Sequence, residues 1–208
     1  MLRGIAPTTT PSPGHVWPLD LRASIKLVSG EMSVLLLTGN IAAGKTVVGR
    51  EIGELLAPTV AHAIVDLDEL GRVFIPGAPS RSILKLRISN LAAIWPNLRS
   101  AGIRYVVVAA AITSTDELEL IRGATGSSQL AVVRLMTPPS LLESRLRERD
   151  SGRLLHAHME AMPTLEHRLN EANVEDFRVV NDEHPPEEVA NKVLQTIGWT
   201  SSPERDGT

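Results

Sequence analysis

Short apolar runs alternate with longer amphipathic segments over most of the chain. The apolar runs predict five strands, at Val34–Thr38, His62–Asp66, Arg104–Ala110, Leu130–Leu135 and Phe177–Val180. The amphipathic segments predict six helices, at Lys45–Leu56, Ser82–Ser100, Thr115–Arg122, Pro139–Arg149, Arg153–Ala172 with a break at Pro163, and Pro186–Ile197. Strands that are apolar throughout and separated by helices indicate an α/β fold, in which helices cover both faces of a parallel sheet.

A glycine-rich segment at residues 39–46 follows the first predicted strand and spells G-x-x-x-x-G-K-T. This is the pattern of a phosphate-binding loop, or P-loop. Its two glycines allow the backbone to wrap around a polyphosphate, so that successive N–H groups point at negative charge. In such a loop Lys45 reaches the β and γ phosphates, and the Thr46 hydroxyl binds Mg²⁺. The residues expected to bind the nucleotide are Gly39, Asn40, Ile41, Ala42, Ala43, Gly44, Lys45, Thr46 and Val47.

Acidic residues follow the second predicted strand, in the segment Asp66 to Leu70. The carboxyl ends of parallel strands share one edge of the sheet, so these carboxylates are expected beside the P-loop. Such a group accepts a proton from an attacking hydroxyl or holds Mg²⁺. We assign the first role to Asp68 and the second to Asp66, although the two residues could exchange roles. The alternative is that both acids complement the dipole of a helix N-terminus.

The P-loop followed by a strand ending in D-x-D-E-L resembles a group of P-loop small-molecule kinases. The group includes adenylyl-sulfate kinase, zeta-toxin kinases, chloramphenicol phosphotransferase and the tunicamycin-resistance ATP-binding proteins. The resemblance extends from Val34 to Trp199, but only the P-loop and the Asp66–Leu70 segment match as motifs. It implies a P-loop NTPase fold with strand order 2-3-1-4-5, ATP and Mg²⁺ as cofactors, and Asp68 as the residue that accepts the acceptor's hydroxyl proton.

The third predicted strand departs from the usual P-loop pattern. It ends in alanines at 109–111, where many P-loop proteins have an aspartate that holds Mg²⁺. Adenylyl-sulfate kinases also lack this acid, so its absence favours this branch over a mechanical ATPase. Magnesium would then be held by Thr46, the phosphates, water and Asp66.

Arginines after the fourth strand resemble the lid of nucleotide and small-molecule kinases, where L-x-x-R-L-x-x-R recurs. Arg145 and Arg149 are four residues apart and share one helical face. We expect both to stabilise the charge of the transferred phosphoryl group, with Arg153 in reserve. An exposed helix is the alternative explanation, and it suffices for Arg147, which is spaced to pair with Glu143.

Residues between the second and third strands are expected to choose the acceptor, because this region covers the acceptor in the resembled kinases. Arg72 is the first candidate, and Thr113 after the third strand is another. Ser114 is a further candidate beside Thr113, and capping of the next helix explains both residues equally well. Arg81 and Arg87 are weaker candidates, and Asn181 and Asp182 follow the last strand, where related kinases approach the adenine base. His156 and His158 have no evident third ligand, so a polar helix surface explains them better than zinc does.

The composition of the chain limits the classes of partner that it is expected to bind. The net charge is −3, with both signs interspersed, and six aromatic residues occur, so no surface for nucleic acid is expected. No apolar run approaches the roughly 20 residues that span a bilayer. With no cysteine in 208 residues, no disulfide forms and a reducing compartment is allowed, so we expect a cytoplasmic protein. We expect a flexible leader at 1–30, a kinase domain at 31–200, a flexible tail at 201–208, and a monomer or homodimer.

The leading hypothesis is an ATP-dependent phosphotransferase acting on a hydroxyl of a small molecule, such as a nucleoside-like or antibiotic acceptor. The resemblance to resistance proteins implies a setting in antibiotic resistance or secondary metabolism. Nucleoside, nucleotide and adenylyl-sulfate kinases are the nearest alternatives. A nucleotide-dependent switch is another, because Asp68 to Gly71 reads D-x-x-G, but no N-K-x-D segment specifies guanine. The last alternative is a protein that binds a nucleotide without catalysis.

Overall fold

A computed structural model describes residues 31–71, 73, 75–77, 79–127 and 129–199. The predicted leader at 1–30, the predicted tail at 201–208 and the candidate Arg72 lie outside the described residues. The strands are β1 (Ser33–Gly39), β2 (His62–Asp66), β3 (Tyr105–Ala109), β4 (Leu130–Met136) and β5 (Phe177–Val180). The helices are α1 (Lys45–Leu56), α2 (Ser80–Ser100), α3 (Thr115–Thr125), α4 (Pro139–Arg149), α5 (Gly152–Ala172) and α6 (Pro186–Ile197).

The strands form one parallel sheet in the order β2-β3-β1-β4-β5, which confirms the predicted fold class and strand order. Strand β1 lies at the centre and pairs with β3 on one side and β4 on the other. Because all strands run in the same direction, their carboxyl ends share one edge, where Gly39, Asp66 and Ala109 lie. Ligands of open α/β sheets bind at this edge.

Side chains on successive positions of β1 face opposite layers of helices, as the twofold period of a strand requires. Leu35 and Leu37 pack with Ile52 of α1 and with residues of α4 and α6. Val34 and Leu36 pack on the other face, with residues of α2 and α3. Both faces of the sheet are therefore buried, which explains why its strands read as continuous apolar runs. None of the described helices is long and apolar enough to cross a bilayer.

Helix α5 runs unbroken from Gly152 to Ala172, so the predicted break at Pro163 is wrong. A proline inside a helix removes one backbone hydrogen bond and costs about 3 kcal/mol in a free helix. In α5 this cost is offset by tertiary contacts. Met162 and Leu169 are buried in the protein core, and the Met162 carbonyl accepts a hydrogen bond from Asn40 Nδ2 at 3.1 Å.

Candidate active site

The loop between β1 and α1 favours glycine at both glycine positions of its pattern. Gly39 has φ +146°, and a Cβ atom there would lie 2.8 Å from the carbonyl oxygen of Leu135. Gly44 has φ +87°, and a Cβ atom there would collide with the side-chain amide of Asn181. The sequence G-x-x-x-x-G-K-T therefore folds as a tight turn that leads directly into the N-terminus of α1.

Lys45 is the first residue of α1, and its ammonium group curls back over the loop. The Nζ atom donates to the carbonyl oxygens of Gly39 at 3.1 Å and Asn40 at 2.9 Å. Burial lowers the pKa of Lys45, while the charges of Asp68 and Asp66 oppose that shift. The ammonium group is thus inside the loop and within electrostatic reach of both predicted carboxylates.

Asp66 is the carboxylate that contacts the loop directly. The Thr46 hydroxyl donates to Asp66 Oδ2 at 2.5 Å, and the backbone N–H of Asp68 donates to Asp66 Oδ1 at 2.9 Å. A hydroxyl and a carboxylate oxygen are ligands that Mg²⁺ prefers. Among the described residues, no group of three or more His, Asp or Glu side chains is placed to hold a metal. A magnesium ion here would need phosphate oxygens and water as further ligands.

Two cavities open at the carboxyl edge of the sheet. The P-loop cavity has a volume of about 830 Å³. Its lining includes Ile41, Ala42, Gly44, Lys45, Thr46, Val47, Asp66, Arg145 and Arg149. The second cavity, of about 580 Å³, lies between α2 and α5 and is called the α2–α5 cavity below.

Asp68 and Ala111 line both cavities and so form the wall between them. The Asp68 side chain is 73% exposed, and its Oδ1 atom lies 2.5 Å from Nη1 of Arg87 on α2. Arg87 Nε also donates to the carbonyl oxygen of Gly71 at 3.2 Å, which fixes the guanidinium group. The Asp68 side chain is therefore accessible from both cavities.

Arg145 and Arg149 both line the P-loop cavity, but they are held differently. Arg145 Nη2 donates to the carbonyl oxygen of Asp182 at 2.7 Å, and burial lowers the pKa of this arginine. Its Nη1 atom is buried, and none of the described residues accepts a hydrogen bond from it. A Cβ atom built on Gly44 would lie 3.9 Å from Nη1, so this unpaired donor faces the loop.

Arg149 forms a two-point ion pair with the next residue. Its Nε and Nη2 atoms lie 2.9 Å and 3.0 Å from the two oxygens of Asp150. His158 Nδ1 lies 2.6 Å from Asp150 Oδ2, so Asp150 bridges α4 and α5. The hydrogen bond to Asp150 raises the pKa of Arg149, and the charge of Asp68 adds to that effect. His158 therefore belongs to this bridge, which the sequence did not indicate.

Polar groups of three helices converge in the α2–α5 cavity. Glu117, whose side chain is buried, accepts from the backbone N–H of Thr113 at 2.7 Å and from its hydroxyl at 3.0 Å. Arg168 of α5 also donates to that hydroxyl. Ser114 accepts from the backbone N–H of Glu117 at 3.2 Å, so it caps α3. Thr113 is thus a cavity residue, whereas Ser114 has a structural role.

Four other residues considered from the sequence lie outside the two cavities or are paired with a neighbouring residue at their edge. Arg153 is exposed and lines neither cavity. Arg147 pairs with Glu143 at 3.6 Å on the surface, as predicted. His156 lies 3.3 Å from Glu160 on an exposed helix turn. Arg81 lines the α2–α5 cavity while it pairs with Asp116 at 2.8 Å.

Comparison with known proteins gives structural neighbours but no sequence family. No protein-family model matches the chain, and no curated protein matches it significantly. Shikimate kinase from Bacteroides thetaiotaomicron superimposes with a TM-score of 0.58 at 18% identity, over 80% of this chain and 99% of its own. The tunicamycin resistance protein of Deinococcus radiodurans gives 0.56 at 20% identity, over 83% and 99%.

A third neighbour is the APS kinase of Mycobacterium tuberculosis, solved in complex with AMPPNP and APS. It gives a TM-score of 0.52 at 17% identity, over 82% of this chain and 99% of its own. Identities this low establish the fold alone. The chain therefore shares the fold of these three neighbours.

Proposed function

We propose that this protein is an ATP-dependent kinase that transfers a γ-phosphoryl group to a hydroxyl of a small molecule. The observation that carries the proposal is the position of Asp68, a carboxylate in the wall between the P-loop cavity and the α2–α5 cavity. A kinase needs a site for the donor, a site for the acceptor, and a proton-accepting group where they meet.

The residues of the P-loop cavity fit a nucleoside triphosphate and Mg²⁺. The turn tolerates no side chain at Gly39 or Gly44, so its backbone is free to approach phosphates closely. The buried, unpaired Nη1 donor of Arg145 calls for an acceptor atom that the described residues do not provide. Lys45 would hold the phosphates, and Thr46 with Asp66 would hold the metal. Bound ATP supplies the phosphoryl group, and Mg²⁺ neutralises its charge.

Asp68 and Arg149 would then perform the chemistry that the protein itself contributes. Asp68 accepts the proton from the attacking hydroxyl in the wall between the cavities. Arg149 is within electrostatic reach of both Asp68 and Lys45. Its guanidinium group places positive charge beside the phosphates, where charge develops during transfer.

The α2–α5 cavity suits an acceptor of moderate size. Its volume of about 580 Å³ falls within the range of cavities that hold drug-sized molecules. Thr113 and Arg168 offer a hydroxyl and a guanidinium group to a polar acceptor, and Leu84 and Leu165 supply an apolar surface. A nucleoside-like or antibiotic acceptor fits this mixture. The alternative is a nucleotide or adenylyl sulfate, and the fold shared with an APS kinase keeps that acceptor in the test.

The test begins with a thermal-shift screen in the presence of Mg²⁺ and AMPPNP. The panel contains nucleosides, antibiotics, sugars and sulfated nucleotides, because a true acceptor stabilises the native state by mass action. Each hit is then incubated with ATP, and mass spectrometry measures the phosphorylated product. Asp68→Asn should reduce product formation by at least about 100-fold, while Glu119→Gln, which removes an exposed surface carboxylate, should not change it.

Three outcomes would contradict the proposal. Slow ATP or GTP hydrolysis that no compound of the panel accelerates would indicate a switch. Nucleotide binding without transfer to any stabilising compound would indicate a non-catalytic binding protein. Full product formation by Asp68→Asn would remove that carboxylate from the chemistry.

A further inference from the structure

We propose that Glu166 of α5 is a positioning residue for the P-loop and that it acts through Asn40. The inference rests on the proposed function of the loop as a nucleotide site. Glu166 Oε2 accepts a hydrogen bond from Asn40 Nδ2 at 2.9 Å, across 126 positions of sequence. Glu166 itself lines neither cavity, so it reaches a bound nucleotide only through the loop.

Asn40 is the residue that ties the first turn of the loop to the rest of the protein. It is buried, and both donors of its amide are used, one by Glu166 and the other by the Met162 carbonyl at 3.1 Å. Its Oδ1 atom accepts from the backbone N–H of Ile41 at 2.7 Å. Its backbone carbonyl accepts from Lys45 Nζ at 2.9 Å and from the N–H of Ala43 at 3.2 Å. A shift of the Asn40 side chain would therefore move the backbone that shapes the loop.

Arg134 holds Glu166 in place from the sheet. Arg134 is on β4, opposite Thr38 of β1, and only 1% of its side chain is exposed. Its Nη2 atom lies 2.7 Å from Glu166 Oε1. The two oxygens of Glu166 thus face two different donors, the guanidinium of Arg134 and the amide of Asn40. A charge buried among apolar residues must be paired, so the pair fixes the carboxylate that Asn40 contacts.

Glu175 offers a matched control within the same cluster. Its side chain is 2% exposed, and it lies 3.5 Å from Arg134 and 2.7 Å from Arg178. None of its hydrogen bonds or ion pairs in the described part of the chain involves the loop. Removing its charge disturbs the same buried arginine without touching Asn40.

The experiment compares Asn40→Ala, Glu166→Gln, the double variant and Glu175→Gln. A glutamine at 166 has one acceptor oxygen, so it satisfies Arg134 or Asn40 but not both. Asn40→Ala leaves no buried charge unpaired, so it remains informative if Glu166→Gln folds poorly. For each variant, calorimetry measures the Kd for ADP in the presence of Mg²⁺, and thermal unfolding measures the Tm.

Asn40→Ala and Glu166→Gln should each raise the Kd by about tenfold. The double variant should bind no more than about twofold more weakly than Asn40→Ala, because Asn40→Ala already removes the contact through which Glu166 acts. Glu175→Gln should lower the Tm and leave the Kd within about twofold of the wild-type value.

Equal loss of affinity in Glu175→Gln and Glu166→Gln would overturn the inference, because the effect would then come from Arg134 alone. Wild-type affinity in Asn40→Ala, or multiplicative losses in the double variant, would also overturn it. Wild-type protein that binds no ADP would overturn the proposed function as well. Normal wild-type binding with unaffected variants would overturn only the role of Glu166.

Discussion

Arg87 and Asp68 form a close ion pair in the wall between the two cavities, with Arg87 Nη1 2.5 Å from Asp68 Oδ1. The two side chains differ in burial, since Arg87 is 22% exposed and Asp68 is 73% exposed. The second contact of Arg87, to the carbonyl oxygen of Gly71, keeps the guanidinium group on the inner side of the pair. Arg87 therefore orients the carboxylate that the proposed mechanism uses.

Replacing Arg87 should affect turnover more than nucleotide binding. Arg87→Ala frees the Asp68 carboxylate to rotate, and a displaced base should reduce kcat on the order of tenfold to 100-fold. The Kd for AMPPNP should change little, because Arg87 does not line the P-loop cavity. Steady-state kinetics with the acceptor found by the screen, together with calorimetry, measure both effects. As a control, Arg122→Ala on α3 should change neither kcat nor the Kd for AMPPNP. An unchanged kcat in Arg87→Ala would contradict the orienting role of Arg87.

Removing the charge of Asp66 should weaken the binding of Mg²⁺ in the nucleotide site. The Asp66 carboxylate contacts the Thr46 hydroxyl at 2.5 Å, and we propose that these two side chains bind the metal. In Asp66→Asn, the Mg²⁺ concentration for half-maximal ATP binding should rise on the order of tenfold. Titration of Mg²⁺ at fixed ATP measures this, with Glu119→Gln as the control for lost surface charge. An unchanged titration midpoint would place the metal elsewhere.

Gly39 and Gly126 both have positive φ, but their replacement by alanine should have different effects. At Gly126, φ is +57° and a Cβ would meet no atom within 4 Å, so the substitution should cost only the backbone strain of about 1 kcal/mol. At Gly39, the added Cβ also collides with the Leu135 carbonyl, so unfolding free energy should fall further and nucleotide binding should be lost. Urea unfolding and calorimetry measure these effects, and a Gly39→Ala protein that binds normally would contradict the loop geometry.

The bridge made by Asp150 should give a pH-dependent contribution to stability. The hydrogen bond from Arg149, assisted by His158, lowers the pKa of Asp150 from 3.8 to about 2. A folded-state pKa below the unfolded value means that the carboxylate stabilises the protein above pH 3.8 and loses this effect as pH falls towards about 2. Asp150→Asn should therefore lower the free energy of unfolding at neutral pH, with a difference from wild type that narrows in acid.

Urea unfolding at several pH values measures this difference. Asp116→Asn removes an exposed carboxylate that pairs with Arg81, and it should show a smaller effect. A difference between wild type and Asp150→Asn that stays constant down to pH 3 would contradict the bridge.

Local sequence signals were sufficient to predict the fold class, whereas the strand order was implied by the resemblance to P-loop kinases. The strands are mostly apolar because helices cover both faces of the sheet, and this pattern is visible without any tertiary information. The G-x-x-x-x-G-K-T segment fixed the first strand, loop and helix together. The break predicted at Pro163 was wrong because the contacts that sustain α5, such as the one from Asn40 to Met162, join residues 122 positions apart.

The sequence predicted the candidate site residues that directly follow strands. It did not predict the contacts that depend on how the helices pack. Lys45, Thr46, Asp66 and Asp68 lie together because the P-loop and β2 end at one edge of the sheet. The contacts of Arg87 with Asp68 and of Arg168 with Thr113 depend on how α2 and α5 pack, which no spacing reveals. Arg134 was detectable, since a charged residue inside an apolar strand requires a buried partner. The identities of its two partners, the partly exposed Glu166 and the buried Glu175, were not.

Direct binding of a nucleotide to the loop is the central claim, and calorimetry with AMPPNP and Mg²⁺ tests it. The wild-type protein should give saturable heat for one site, and Lys45→Ala should bind at least about tenfold more weakly, because its ammonium group lies inside the loop. Thermal unfolding should show that the variant is still folded. Absence of heat with the wild-type protein, or equal affinity in both proteins, would contradict the account.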